Sequence, residues 1–302
     1  MQDMTEATAR GLELCPAEPP FLRGRLRVYL KKTTGENPDV RLGGKWRPPN
    51  CTARHKVAIV IPFRDRETHL RVLLRHLHPI LQRQQLDYGV YVVEQYGNGT
   101  FNKATLMNIA YVFALSEDDY SCFIFHDVDL LSEDDRNLYT CADQPKHLSV
   151  AVDTLKYRLP YEDIFGGVVA LTADQFRRVN GFSNLYWGWG AEDDDMSRRV
   201  RMSGWKILRP PVSIARFRMI PHKKRRASAA KDRVYDHIVS NFTADGLNSL
   251  EYELVSVYKN RLLTHIVANL KLQEPRWTNV TDEHTVTRNK TMHRNRRKYG
   301  NP

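Results

Sequence analysis

No apolar run in the 302 residues approaches the roughly 18 to 20 needed to cross a bilayer. The first residues, MQDMTEATAR, also lack the apolar stretch of a secretory leader, so the chain reads as soluble, either natively or because an anchor was removed. Cysteine is scarce. Cys15 and Cys51 bracket the N-terminal segment, Cys122 and Cys141 bracket the most acidic part of the chain, and neither interval has CxxC spacing, which argues against zinc. No internal repeat is present, and a composition of 41% hydrophobic and 27% charged residues excludes disorder, collagen-like repeats and coiled coil as descriptions of the whole chain. What remains is enough apolar mass for the core of one large domain or two modest ones.

Acidic residues are outnumbered, giving a formal charge of +11, a balance that ordinarily points to polyanions and above all to nucleic acid. The distribution weakens that reading. Residues 271–302 hold eight Lys/Arg against three Asp/Glu, and Lys223, Lys224, Arg225 and Arg226 form a second cluster, so much of the excess sits in short solvated segments. Five N-x-[ST] sequons, at Asn50, Asn98, Asn241, Asn279 and Asn289, fit passage through the secretory pathway, which permits disulfides. The alternative is accidental sequons and free thiols in a cytosolic protein.

The first 55 residues are rich in Pro, Gly and Arg and read as an irregular wrap. Regular structure begins at Val57-Ala58-Ile59-Val60-Ile61, a continuous apolar run stopped by Pro62, as in a strand buried on both faces of a parallel sheet. Leu70, Leu73, Leu74, Leu77, Ile80 and Leu81 then recur at helical spacing. The alternation repeats with a strand over 88–93, a helix over 102–115 and a strand over 122–125, which makes a βαβαβ half of an α/β sheet. Ligands bind such sheets at the carboxyl ends of the strands, so the chemistry belongs just after Ile61, Val93 and Phe125. Beyond Ser132 the pattern weakens, and acceptor-side elements are placed in the second half of the same domain, 56–270, with 271–302 as a basic tail.

Three stretches carry candidate chemistry. His126-Asp127-Val128-Asp129 closes the third strand; two carboxylates at i and i+2 on an extended segment share a side and can hold a divalent cation with a sugar or phosphate group. Pro62-Phe63-Arg64-Asp65-Arg66 ends the first strand at the same edge, where the arginines could grip a diphosphate and Phe63 offer a face to a base. Tyr186-Trp187-Gly188-Trp189-Gly190-Ala191-Glu192-Asp193-Asp194-Asp195 joins mobile, aromatic and mutually repelling acidic residues; it is either an acidic helix N-terminus, a site for a general base, or both. Met219 and His222 alone read as core packing and a surface histidine unless a further ligand joins them.

Taken together and in order, PFRDR, LHPILQRQQLDYGVYVVEQ, HDVDL, LPYEDIFGGVVAL, NGFSNLYWGWGAEDDD, RMIPH and DGLNSL resemble the β-1,4-galactosyltransferase family of animal Golgi enzymes, over about residues 12–270. The resemblance implies an inverting GT-A glycosyltransferase that moves a sugar from a UDP-sugar to the 4-hydroxyl of a terminal N-acetylglucosamine. It implies Mn2+ on Asp129, Met219 and His222; UDP-sugar contacts at Pro62, Phe63, Arg64, Arg66, Asp127, Val128 and Trp189; a catalytic base at Asp193 with Glu192 beside it; and acceptor contacts at Tyr161, Asp194 and Tyr235. Two disulfides, Cys15–Cys51 and Cys122–Cys141, follow from it, as does a long loop over 220–237 that closes after the donor binds. So do a lumenal Golgi location and a type II signal-anchor that would precede this chain; the acceptor partner would be a GlcNAc-terminated glycoprotein or glycolipid.

Departures from the family pattern sharpen the expectation. Galactose-using vertebrate members carry Tyr before the Phe-Gly-Gly; here Ile164 stands there, which removes a hydroxyl and leaves room for an N-acetyl group. The preferred donor is therefore UDP-GalNAc, giving GalNAcβ1,4GlcNAc, with UDP-Gal the alternative. Ala191 replaces a glycine of many members. A sugar-recognising module without turnover and a UDP-sugar hydrolase are the rivals, and the intact Asp129, His222 and Asp193 argue against the first.

Overall fold

A computed structural model of the chain describes residues 11–30, 39–223, 228, 231–238 and 243–271. Five elements appear as the apolar periodicity requires: β1 (Lys56–Phe63), α1 (Glu67–Arg83), β2 (Asp87–Gln95), α2 (Lys103–Glu117) and β3 (Cys122–His126). Then come β4 (Leu130–Ser132), β5 (Lys146–His147), β6 (Ala151–Val152), β7 (Val168–Thr172), α3 (Ala173–Arg178), α4 (Glu192–Met202), β8 (Arg216–Met219), α5 (Lys231–Ile238), β9 (Tyr252–Lys259) and β10 (Thr264–Leu270).

Seven strands form one sheet in the order β5-β7-β3-β1-β2-β10-β9. The central strands β3, β1, β2 and β10 are parallel, while β7 and β9 run antiparallel beside them. Because side chains alternate along a strand, β1 feeds two cores at once: Val57, Ile59 and Ile61 pack with α1, and Ala58 and Val60 pack with α2. That double burial is why the run is apolar at every position. Pro62 does not stop the strand. Pairing of β1 with β3 ends at Val60, whereas pairing with β2 continues to Phe63, so the missing N–H of proline falls where β1 has a neighbour on one side only.

Two features of the fold place the site. Asn102 caps α2, its side chain accepting from the Thr105 N–H, and its amide also donates to the Asn184 carbonyl at 2.7 Å, which fixes the aromatic-acidic segment beside the sheet's carboxyl edge. A second, three-stranded sheet, β4-β8-β6, pairs Leu130 with Met219. Of the residues before β1, 11–30 and 39–55 carry only isolated bridges, such as Leu14 with Thr52 and Trp46 with Tyr88. Among the described residues no helix is long and apolar enough to cross a membrane.

Candidate active site

The DVD segment is not extended. β3 stops at His126, and Asp127–Asp129 form a turn closed by the Leu130 N–H donating to the Asp127 carbonyl at 3.4 Å. The two carboxylates therefore take different partners. Lys103, at the start of α2, places its ammonium 2.7 Å from Asp127 and 3.4 Å from Glu192. Asp129 instead lies 3.1 Å from His222 Nδ1, and its carbonyl accepts from the Ile220 N–H at 2.7 Å. Burial, then the charge of Asp127, pushes the Asp129 carboxyl up, partly offset by His222.

The β4–β8 pairing sets Met219 across from Leu130, next to Asp129, and the Met219 N–H donates to Asp153 at 2.9 Å. Asp129, Met219 and His222 thus share one corner. Among the described residues no three His, Cys, Asp or Glu side chains group as a metal site, so a three-ligand set here needs the thioether. A carboxylate oxygen, an imidazole nitrogen and a thioether sulfur are a donor set that a divalent first-row metal accepts.

The four acids open α4, as the helix N-terminus reading expects, and they differ in fate. Asp195 turns inward and pairs with the buried Arg199 at 2.7 Å, a structural role. Asp194 accepts from the Tyr161 hydroxyl at 2.7 Å. Asp193 faces Gly166; burial, then repulsion from Glu192 and Asp194, pushes its pKa up to about 7, with Lys103 opposing. Burial disfavours the Lys103 charge, but Asp127 and Glu192 outweigh it and keep the ammonium protonated. Trp189 is 57% exposed, with the Lys231 ammonium 5.9 Å from its ring centroid and its carbonyl accepting from the Ser228 N–H. The Tyr235 ring lies under the Arg198 guanidinium at 5.0 Å.

At the end of β1 the outcome is mixed. Arg64 donates to the Gly99 carbonyl at 2.6 Å and stacks on Phe101 at 4.9 Å, and Arg66 lies 3.4 Å from His69 Nε2. The Phe63 ring offers no open face: it is 3% exposed, in the α1 core, edge-on to His265. Phe101 is the aromatic at this mouth instead. Sequence reasoning misses Phe101 and Lys103, although the signal is there, in an aromatic and a cation flanking the Asn cap of α2. Ile164 sits in an exposed turn with its N–H donating to the Tyr161 carbonyl at 3.4 Å. Both expected disulfides are present, Cys15–Cys51 and Cys122–Cys141. Asn50 and Asn98 are exposed; Asn241, Asn279 and Asn289, most of the basic cluster (224–226), most of the 220–237 loop before α5, and 272–302 lie outside the described residues.

Residues 15–142 match the family model for the N-terminal region of glycosyl transferase group 7, and 146–223 match that for the N-terminal domain of galactosyltransferase. The chain is 46% identical over 273 residues to β-1,4-galactosyltransferase 2 of Cricetulus griseus, covering 87% of this chain and 74% of the relative. It is 46% identical over 271 residues to β-1,4-galactosyltransferase 3 of Homo sapiens, covering 86% and 69%. Among solved structures it resembles the catalytic domain of Drosophila β-1,4-galactosyltransferase 7 in complex with xylobiose, with TM-score 0.64 and 28% identity over 72% of this chain and 95% of that one. A mutant of the same fly protein, in complex with manganese, UDP-Gal and xylobiose, matches with TM-score 0.62.

Proposed function

The chain belongs to the β-1,4-galactosyltransferase family of GT-A glycosyltransferases, and from that premise we propose that it transfers a hexose of galactose configuration from UDP to the 4-hydroxyl of a terminal N-acetylglucosamine, inverting the anomeric centre. The observation that carries the reading is Asp193: a carboxylate at the head of α4, tuned by burial and acidic neighbours to about pKa 7, faces the sheet edge where the strand ends gather. It takes the proton of the acceptor hydroxyl as that oxygen bonds to the anomeric carbon. The carbon–oxygen bond to UDP breaks on the opposite face, and UDP leaves with the bonding pair.

Asp129, Met219 and His222 would hold Mn2+, which supplies positive charge for the departing diphosphate. Arg64, Arg66 and the backbone of Pro62 and Phe63 line the UDP side with Asp127 and Val128. Glu192 holds Lys103 against Asp127. Tyr161 and Asp194, already hydrogen-bonded, position the acceptor with Tyr235, and Trp189 covers the donor. The relatives' names favour UDP-Gal as donor. Ile164 favours a second reading, UDP-GalNAc, because an alkyl side chain in place of tyrosine leaves space beside the donor's 2-position. Two disulfides and the exposed Asn50 and Asn98 sequons support action in the Golgi lumen, on glycoprotein or glycolipid acceptors.

The product tests the reading. Incubation with Mn2+, UDP-Gal or UDP-GalNAc and a β-linked GlcNAc acceptor should give a disaccharide whose NMR spectrum shows a β anomer linked to C4. An α anomer, another linkage, or free sugar alone would overturn it.

A further inference from the structure

Ile164 lies in a segment with no ladder of its own. Residues 161–163 are exposed, form a turn closed by the Ile164 N–H on the Tyr161 carbonyl, and join no strand. Its position is nevertheless fixed from several sides. Arg209 Nη2 donates to two carbonyls of this turn, Glu162 at 2.6 Å and Ile164 at 3.0 Å. Arg201 of α4 pairs with the Asp163 carboxylate, and Tyr161 donates to Asp194 of the same helix. Downstream, the Gly166 carbonyl accepts from the Ser149 hydroxyl at 2.9 Å and lies 3.0 Å from His147 Nε2.

Of these ties only the Arg209 clamp reaches the Ile164 backbone itself. The base of the clamp is rigid. Leu208 exchanges backbone hydrogen bonds with the edge of the main sheet, its carbonyl accepting from the His147 N–H at 2.8 Å and its N–H donating to the Pro145 carbonyl at 2.8 Å. Pro210 and Pro211 follow and restrict the chain beyond. The two N–H bonds of Nη2 lie in the guanidinium plane at a fixed angle, so the two carbonyls bound to that nitrogen leave the turn little freedom.

We propose that Arg209 is the positioning residue for donor choice: it sets the distance of the Ile164 side chain from the donor's 2-position by holding the backbone on both sides of Asp163. The inference rests on the Ile164 reading above. An N-acetyl group is bulkier than a hydroxyl, and a displacement of about an ångström in a side chain that borders it decides large rate ratios. A lysine keeps the charge, but its ammonium rotates freely on a flexible stem and does not fix two carbonyl directions as a planar guanidinium nitrogen does.

The test compares kcat/KM for UDP-Gal and UDP-GalNAc in wild type, Arg209→Lys, Arg209→Met and Ile164→Tyr, with acceptor KM and Tm recorded for each. Arg209→Met should move the donor ratio towards unity by at least about fivefold, and Arg209→Lys should fall between it and wild type, with acceptor KM within about twofold. Both donors slowing together at an unchanged ratio, while Ile164→Tyr shifts that ratio, would overturn Arg209's role and leave the donor gate intact. An unchanged ratio in Ile164→Tyr as well, or no transfer from either donor by the wild type, would overturn both. A lowered Tm in Arg209→Met is separated from the proposal by the Lys variant and by the ratio, which loss of folded enzyme does not move.

Discussion

Gly166 and Asp193 meet with no space between them: a methyl group built on Gly166 would fall 2.3 Å from Asp193 Oδ2. The glycine is what lets Asp193, the proposed base, lie against the strand end. Gly166→Ala should therefore displace the carboxylate and lower kcat/KM by on the order of 100-fold, with a smaller change in the donor's KM. Steady-state kinetics at saturating acceptor checks this.

The Asp193 carboxyl, the proposed base, has its pKa pushed up to about 7. Activity should rise with pH through an acid limb near 7, and Asp193→Asn should abolish that limb and cost roughly 100- to 10,000-fold in kcat. Stability runs the other way. A carboxyl whose folded pKa lies above its unfolded value favours folding when protonated, so this contribution is full below about pH 4 and is lost as pH rises through 7. Asp193 keeps part of its surface in solvent, so the gain from neutralising it is on the order of 1–2 kcal/mol. Asp193→Asn should thus melt higher than wild type at pH 8 and not at pH 4.

Lys103 lowers the Asp193 pKa while joining Asp127 to Glu192. In Lys103→Met both carboxylates lose their shared cation, and the acid limb of the kcat/KM profile should move to higher pH, with kcat reduced about tenfold or more. A pH–rate profile of the variant decides this; an unmoved limb would mean that Lys103 does not act on the proposed base, Asp193.

Ala191 precedes α4 with φ of +75°, a left-handed conformation that costs an alanine roughly 1 kcal/mol and a glycine almost nothing. Ala191→Gly should raise Tm by relieving that strain. It should also loosen the Gly188–Gly190 loop, which will show as a higher rate of acceptor-independent UDP release.

The parallel half of the sheet is legible because its first strands are buried on both faces, and an unbroken apolar run as short as Val57–Ile61, ended by proline and followed by a helical pattern, suits a central strand far better than a surface one. β7, β9 and β10 are not legible as sheet strands: β9 is exposed along most of its length and joins the sheet through β10 alone, at its edge. The proposed metal ligands and the proposed base are visible only as motifs. Alternation along a strand cannot show that Asp127 and Asp129 part company, because a turn, not a strand, carries them. Phe63 misleads for a related reason, since burial in the α1 core outweighs its place beside two arginines. Arg209 leaves no local signal, its partners lying 45 to 47 residues earlier in the chain.

In the proposed reaction this chain moves a sugar from UDP to a GlcNAc hydroxyl with Asp193 as base. The most direct measurement is the initial rate of UDP release with Mn2+ and a β-linked GlcNAc acceptor, with UDP-Gal and UDP-GalNAc in parallel, with and without acceptor, in wild type and Asp193→Asn. The account predicts acceptor-dependent release from at least one donor by the wild type, lost in Asp193→Asn. Release that ignores the acceptor, or that survives in Asp193→Asn, would contradict it.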